Sequence, residues 1–184
     1  MKIQLPPEIV ALHRFCARRD ANPNLECVRI EPYDGGAVAV ATDGRLMAVV
    51  RFDADVRDTV GFGIRSEALA LVPAGREAWL EGGAITWTTE WGGGVMVSGA
   101  KVVAERLGWR VEHESALVPG DSAWPLCFGA RYLEAVARYL EGCGGSGVVR
   151  FVSHGKDGEL SPARIVPWER FLSHIEFSLM PVRP

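Results

Sequence analysis

The chain has 184 residues, of which 48% are hydrophobic and 23% are charged, and its formal net charge is −3 at pH 7. This composition is typical of a folded globular protein that is long enough to bury a substantial core, and it excludes a disordered chain. The negative net charge excludes a global basic field, so any contact with nucleic acid must come from a local cluster of basic residues.

The first elements follow the order strand, helix and three strands. The stretch "KIQL" at residues 2–5 predicts a strand, and two prolines after it suit the first turn of a helix that we expect to run to about Arg19. A strand at residues 27–31 and a turn at "YDGG" follow. The alternating stretch "AVAVATDGRLMAVVRF" at residues 37–52 then predicts a β-hairpin, because Asp-Gly favours the turn that reverses an antiparallel pair.

The same order of elements recurs twice more. The second unit begins at "VGFGI", continues with the helix "SEALALV" and ends with strands in "EAWLEGG", "AITWTTE" and "GVMVSG". The third begins at "WPLCFG", continues with the helix "ARYLEAVARYLEG" and ends with strands in "GVVRFVSH", "SPARIVP" and "SHIEFSLMP". The last two units share "FGIR" at residues 62–65 and "FGAR" at residues 128–131, both where a strand meets a helix. We therefore predict three βαβββ units.

Two predicted helices carry paired arginines away from their apolar faces. Arg14 and Arg18 lie opposite the apolar stripe of the first helix, and Arg131 and Arg138 lie on the polar side of the helix of the third unit. Such arginines are consistent with an ordinary solvated helix face. They are also consistent with a surface that faces phosphates, where arginine binds backbone oxygens without reading sequence.

The sequence contains no arrangement that indicates a cofactor, a metal site or an enzyme. The four cysteines include no C-x-x-C pair and the four histidines include no H-x-x-x-H pair, so zinc is not expected and the thiols are expected to be buried. The stretch "EGCGGSGVV" lacks the lysine and hydroxyl residue of a phosphate loop. No segment approaches the ~18 apolar residues of a membrane span, and "MKIQLPPEIV" has no apolar run of a signal peptide. We therefore expect a cytoplasmic protein.

Two motifs resemble the bacterial sliding clamp, the β subunit of DNA polymerase III. "VATDGRLMAV" at residues 40–49 resembles the clamp hairpin V-A-T-D-G-H-R-L-A, although no histidine stands between Gly44 and Arg45 here. "FSLMPVRP" at residues 177–184 resembles the clamp ending, a strand that runs into M-P-M-R-L, with Val182 and Pro184 in place of methionine and leucine. The helix "FGARYLEAVARYL" is similar to the one that opens the last half-domain of the clamp.

The resemblance implies an α+β DNA-clamp fold, the processivity fold, of repeated βαβββ units with antiparallel sheets outside and helices inside. Residues 1–115 would form a complete clamp-like domain of two units that is similar to the middle domain of a clamp. Residues 122–184 would form a half-domain with the third unit. A clamp subunit has three domains of two units each, so the chain is identified as a shortened member of this fold.

The resemblance also implies a peptide pocket between the hairpin and the C-terminal segment. Its members would be Thr42, Gly44, Arg45, Leu46, Met180, Pro181, Val182 and Arg183. The competing interpretation of "TDGRL" is a plain hairpin tip, which its sequence explains equally well. In the pocket interpretation, Gly44 admits a close backbone, Met180 offers adaptable apolar surface and Arg45 holds peptide carbonyls or a carboxylate.

The implied function is a DNA sliding clamp, a polymerase processivity factor that encircles duplex DNA and is not an enzyme. Its partners would be duplex DNA, bound without sequence preference through the four arginines, and the peptide motifs of polymerases, clamp loaders or repair proteins. Clamps close with twelve βαβββ units, so three units per chain predict a homo-oligomer of four chains. The alternative is a clamp-fold interaction or regulatory module that binds clamp partners without encircling DNA.

Overall fold

The structure of the protein is a computed structural model that describes residues 2–18, 23–56, 61–88, 94–97, 128–153 and 163–180. In the first repeat, the elements are β1 (Lys2–Leu5), α1 (Pro7–Ala11), β2 (Cys27–Tyr33), β3 (Gly36–Thr42) and β4 (Leu46–Phe52). The second repeat has β5 (Phe62–Arg65), α2 (Ser66–Leu69), β6 (Ala78–Glu81), β7 (Ala84–Thr88) and β8 (Gly94–Val97). The third repeat has α3 (Ala130–Gly142), β9 (Val149–Ser153), β10 (Ala163–Pro167) and β11 (Ile175–Leu179).

These elements confirm the predicted α+β class and the predicted order of strands and helices within the described ranges. The first strand expected for the third repeat, in "WPLCFG", lies outside the described residues up to position 127. The chain divides into two compact units, one of Met1–Asp43 with Val49–Arg106 and one of Gly44–Ala48 with Leu107–Pro184. The expected domain limits at residues 115 and 122 stay a prediction, as does the placement of sheets outside and helices inside a ring.

In the first compact unit, the first strand of each repeat joins the sheet of the other repeat. β1 pairs antiparallel with β6, with Leu5 opposite Ala78. β5 pairs antiparallel with β2, with Phe62 opposite Ile30. The two sheets therefore have the orders β1-β6-β7-β8 and β5-β2-β3-β4. This reciprocal exchange makes the two repeats one domain, because neither sheet is complete without a strand from the other.

The hairpin of β3 and β4 is buried more completely than a surface hairpin. Every residue from Ala37 to Ala41 is buried. Because successive residues of a strand point to opposite faces, both faces of β3 are covered. The described chain therefore exposes the hairpin at its turn and not along its strands.

The first helix is shorter than predicted. α1 ends at Ala11, a 3₁₀ turn continues it to Phe15, and Cys16 has an extended backbone with ψ of 148°. The helical hydrogen-bond ladder stops here because the N–H of Ala17 donates to the carbonyl of Leu25 at 2.8 Å. Arg18 therefore lies beyond the helix, and the expectation that it shares a helix face with Arg14 is wrong.

In the second compact unit, β11 pairs with β10 and β10 pairs with β9, all antiparallel. The first residues of β4 lie along the other side of β11. α3 has the predicted limits and buries Val136 and Leu140 as expected. Leu133 is only half-buried, whereas two tyrosines complete the apolar face. Tyr139 meets Phe177 of β11 edge-on at 5.8 Å between ring centres, and this contact joins the helix to the sheet. Of the described helices, none has the length and apolar character needed to cross a membrane.

Candidate functional site

The turn between β3 and β4 presents an open backbone at Gly44. This glycine has φ of +85°, the left-handed region that the Asp-Gly sequence favours, and an added Cβ would meet no atom within 4 Å. Gly44 and Arg45 are exposed, whereas Leu46 is only 2% exposed and belongs to the core. The turn therefore offers backbone and one long cationic side chain to a ligand, with an apolar residue directly beneath.

The second compact unit joins this turn to the segment that follows β11. The backbone N–H of Met180 donates to the carbonyl of Arg45 at 2.9 Å. The side chain of Met180 is 39% exposed, although its neighbours along β11 are buried. Four of the predicted pocket residues thus belong to one compact unit: Gly44, Arg45, Leu46 and Met180. Thr42 ends β3 in the first unit, and Pro181, Val182 and Arg183 lie outside the described residues.

In the first compact unit, Arg18 lies beside a cavity. Arg14 and Arg18 are both exposed. Arg18 lines a cavity of about 330 Å³ together with His13 from the 3₁₀ turn and Arg65 from the end of β5. Glu26 also lines the cavity and lies 3.7 Å from the guanidinium of Arg65. Glu67 lines the cavity as well, so the two carboxylates balance the two arginines of the lining. This balance suits weak attraction of a polyanion by the exposed arginines better than a tight anion site in the cavity.

The imidazole of His13 is neutral in this setting. Its burial lowers the pKa of His13 below the usual value, and the charges of Arg14 and Arg18 lower the pKa further. The ring Nδ1 donates to the carbonyl of Val10 at 2.8 Å, which acts in the opposite direction by favouring the protonated form. The cluster therefore contributes arginine charge and no histidine charge near neutral pH.

Sequence reasoning missed Arg65 as a member of this basic group. The sequence signal is the repeated motif, because "FGIR" and "FGAR" both place an arginine near the start of a helix. Arg65 ends β5 directly before α2, whereas Arg131 is the second residue of α3. The expected DNA-facing set contains only Arg131 of these two.

The arginines of α3 are exposed but have partners on their own helix. Arg131 donates to the hydroxyl of Tyr132 at 2.8 Å and stacks its guanidinium 4.7 Å from the centre of that ring. Arg138 pairs with Glu134 one turn earlier, at 2.6 Å. Both members of this pair are largely exposed, so the bond is a weak one that a phosphate can replace. The two arginines are seven residues apart, which places them on the same side of the helix.

The two thiols of the first repeat, Cys16 and Cys27, offer no reactive site. Burial raises the pKa of Cys16 to about 12 and also raises the pKa of Cys27. Both thiols are therefore protonated and poor nucleophiles. In the described part of the chain, no group of three or more histidine, cysteine, aspartate or glutamate side chains could hold a metal ion.

The fold matches bacterial DNA polymerase sliding clamps. The clamp of Pseudomonas aeruginosa, solved with a ligand, matches with a TM-score of 0.59 at 16% identity, over 100% of this chain and 66% of that chain. The clamp of Bartonella birtlesii, bound to griselimycin, matches with a TM-score of 0.58 at 18% identity, over 100% and 66%. A putative DNA polymerase III β subunit from Eubacterium rectale matches with a TM-score of 0.51 at 9% identity, over 99% and 65%.

These matches confirm the resemblance seen in the sequence at the level of the fold. The chain has the sliding-clamp fold and spans about 66% of the length of the clamps it matches. No protein-family model matches the chain, and a search of curated proteins gives no match.

Proposed function

We propose that this chain, which has the fold of bacterial sliding clamps, is a shortened clamp that encircles duplex DNA and tethers partner proteins to it. The observation that carries the proposal is the extent of the match, which includes 100% of this chain. In this role the protein is a binding scaffold and performs no covalent chemistry.

The proposed contact with DNA is topological and electrostatic. A closed ring holds DNA without gripping it, so the attraction at any one phosphate can be weak and sliding stays free. The exposed arginines Arg14, Arg18, Arg131 and Arg138 are suited to this, because guanidinium groups bind phosphates without reading bases. The protein as a whole is acidic, so this attraction must be local.

The proposed contact with partners is the pocket beside Gly44, Arg45, Leu46 and Met180. The hydrogen bond between Arg45 and Met180 supports it, since it brings the two predicted halves together. The exposed thioether of Met180 can adapt to different apolar side chains, and the exposed guanidinium of Arg45 can hold a peptide carbonyl. The ligands would be short apolar peptide motifs of polymerases, clamp loaders or repair proteins.

The proposed assembly follows from the number of repeats. Four chains with three repeats each supply the twelve repeats of a clamp ring. Because neighbouring repeats of the first unit exchange strands reciprocally, an odd number of repeats leaves the third to pair with another chain. Neighbouring chains would then be flipped relative to one another, which gives a dihedral tetramer.

A second candidate function is a clamp-fold module that binds clamp partners without encircling DNA. The length of the chain, about 66% of the matching clamps, favours it, because missing repeats can leave a ring open.

The test combines light scattering with retention on DNA. The chains are diluted, mixed with nicked circular plasmid and concentrated, so that rings can assemble around DNA without a loader. The clamp is supported if the protein stays on circular DNA, is lost when the DNA is linearised, and is retained again when both DNA ends are blocked. The assembled protein should have a mass of four times 20.0 kDa. A stable monomer of 20.0 kDa that binds the peptide but slips from circular DNA supports the module and overturns the ring.

A further inference from the structure

The third repeat carries sequence counterparts of both strands that pair between the first two repeats. In the first unit, Phe62 of "FGIR" lies opposite Ile30 of "CVRI", so the first strand of one repeat pairs with the second strand of the other. The third repeat carries "FGAR" at residues 128–131 and "VVRF" at residues 148–151. Phe128 therefore corresponds to Phe62, and Phe151 corresponds to Ile30.

In the structure, the side chains of Phe128 and Phe151 are in contact. The rings of Phe128 and Phe151 stack with 5.4 Å between their centres and an angle of 21°. Phe62 and Ile30 are partners in a strand register, whereas Phe128 lies just before α3 and meets Phe151 through its ring alone. Here both residues come from one repeat. Phe128 is thus the residue of "FGAR" that contacts β9.

Among the described residues, the core around Phe151 is incomplete. Phe151 lies opposite Ile165 in the register of β9 and β10, and paired residues point to the same face of a sheet. Ile165 is fully buried, whereas Phe151 is 43% exposed. Ile30, its counterpart in the first repeat, is 0% exposed. In the part of the chain that the structure describes, β9 therefore has less cover than the second repeat gives to β2.

Further apolar surface lies at the start of β9. Val148, Trp168 and Phe171 are 50%, 62% and 62% exposed. The backbone N–H of Trp168 donates to the carbonyl of Val148 at 3.0 Å, which holds the main chain of Trp168 beside the start of β9. The guanidinium of Arg150 lies 5.5 Å from the centre of the Trp168 ring. The described ranges contain six exposed large apolar residues, and four of them belong to this surface: Val148, Phe151, Trp168 and Phe171.

The size of this surface suits a protein interface. From ~200 Å² for a phenylalanine and ~250 Å² for a tryptophan, the three aromatic side chains together expose about 350 Å². Apolar patches of this size mark interaction sites. Two such surfaces in contact would supply about 700 Å² of the ~1,600 Å² that a stable interface buries.

We propose that a second copy of this chain docks here, and that the two third repeats exchange their "FGAR" segments across the edges of their β9 strands. Phe128 of each copy then stacks on Phe151 of the other, as Phe62 of one repeat meets Ile30 of another within the chain. The contact is twofold symmetric, so each surface must be complementary to itself. The cavity that Trp168 and Phe171 line also contains Arg150, Arg170 and Glu169, so each copy supplies both signs of charge to such a contact. The pair also covers a strand edge that is costly to leave open.

This inference builds on the proposed assembly by assigning one of its junctions to named residues. It does not require a closed ring or DNA. If the third repeats of two chains pair but the protein is not retained on circular DNA, the ring is wrong and the exchange stands. If the third repeats do not pair, the exchange is wrong.

Cross-linking between two differently substituted chains tests the exchange directly. Phe128→Cys and Phe151→Cys are made separately in a Cys127→Ser, Cys143→Ser background, since Cys16 and Cys27 are buried thiols with raised pKa values and react poorly. The two variants are mixed, allowed to exchange and treated with a short bis-maleimide. A product of twice 20.0 kDa that forms in the mixture far more than with either variant alone supports the proposal. A chain carrying both substitutions that links internally at 20.0 kDa, with no product in the mixture, overturns it.

A second pair of variants keeps the test independent of folding. Trp168→Ser with Phe171→Ser alters only exposed side chains and should weaken self-association roughly thirtyfold in sedimentation equilibrium, the loss typical of interface anchors. Leu71→Ser is the matched control, because Leu71 is 57% exposed but belongs to the first unit. Equal association of the double variant and the control would contradict the assignment of this surface.

Discussion

The carbonyl of Arg45 accepts a hydrogen bond of 2.9 Å from the backbone N–H of Met180. Because both groups belong to the main chain, the bond holds the turn against the segment after β11 whatever side chains these positions carry. The side chains of Arg45 and Met180 are exposed and can be changed with little effect on folding. Binding at this place can therefore be separated from stability.

Replacing Met180 with alanine should weaken binding of a short apolar clamp-type peptide by roughly fivefold. Met180 is 39% exposed, and a ligand that covers this surface gains about 1 kcal/mol of binding free energy from apolar burial. Calorimetric titration measures the change, and thermal unfolding should be unaltered. Leu71→Ala serves as the control for removal of an exposed apolar side chain.

Deleting residues 180–184 should abolish peptide binding. The deletion removes the backbone N–H of Met180 that donates to the carbonyl of Arg45. It also removes the predicted pocket residues Pro181, Val182 and Arg183. Circular dichroism establishes that the shortened chain is folded. If the shortened and intact chains bind the peptide equally, the turn is a plain hairpin tip and the pocket proposal is wrong.

Replacing Arg14 and Arg18 with alanine should weaken association with duplex DNA equally for all sequences. Each phosphate that the protein no longer neutralises lowers the slope of log affinity against log salt by about 0.9, so the slope should fall by roughly 1 to 2. Fluorescence anisotropy across a salt series measures it. Lys2→Ala is the matched control, since Lys2 is an exposed cation on the solvent side of β1. An unchanged slope in the double arginine variant would remove these residues from the DNA interface.

Two substitutions on α3 should change DNA affinity in opposite directions. Arg138→Ala removes a cation and should weaken binding, while Glu134→Gln removes the carboxylate that pairs with Arg138 at 2.6 Å and should strengthen it. Each breaks the same exposed pair, so each should lower the free energy of unfolding by only about 0.3–0.5 kcal/mol. Equal effects of both variants on DNA affinity would show that the pair, and not the arginine charge, matters.

The free energy of unfolding should fall as the pH drops below the usual histidine pKa of 6.5, in part because of His13. Burial gives His13 a lower pKa in the folded chain than in the unfolded chain, so the unfolded chain takes up its proton first. The loss of stability that His13 causes is absent above about pH 6.5. It grows as the pH falls toward the lowered pKa and is constant below that pKa. Urea unfolding of the His13→Gln variant between pH 7.5 and 5 should show a smaller decrease. An identical pH profile would mean that His13 does not carry this effect.

Local sequence signals determined the elements and their order. The Asp-Gly pair between alternating apolar residues predicted the hairpin, and the 3.6-residue periodicity of "ARYLEAVARYLEG" predicted α3 with its limits. The repeated "FGxR" motif indicated equivalent positions in two units. These features depend on interactions between residues that are close in the chain, which is why the sequence alone was enough to predict them.

The tertiary structure decided what depends on distant partners. The first helix ends early because the N–H of Ala17 finds the carbonyl of Leu25, and no local signal specifies that bond. β1 and β5 exchange sheets because the edges of β6 and β2 are available to them, which only the packed domain reveals. Phe151 has the sequence pattern of an ordinary core residue, yet it is 43% exposed because the chain holds no fourth repeat among its described residues to cover it. Periodicity fixes which face of an element is apolar, whereas burial of that face requires a partner that lies elsewhere in the chain or in another copy.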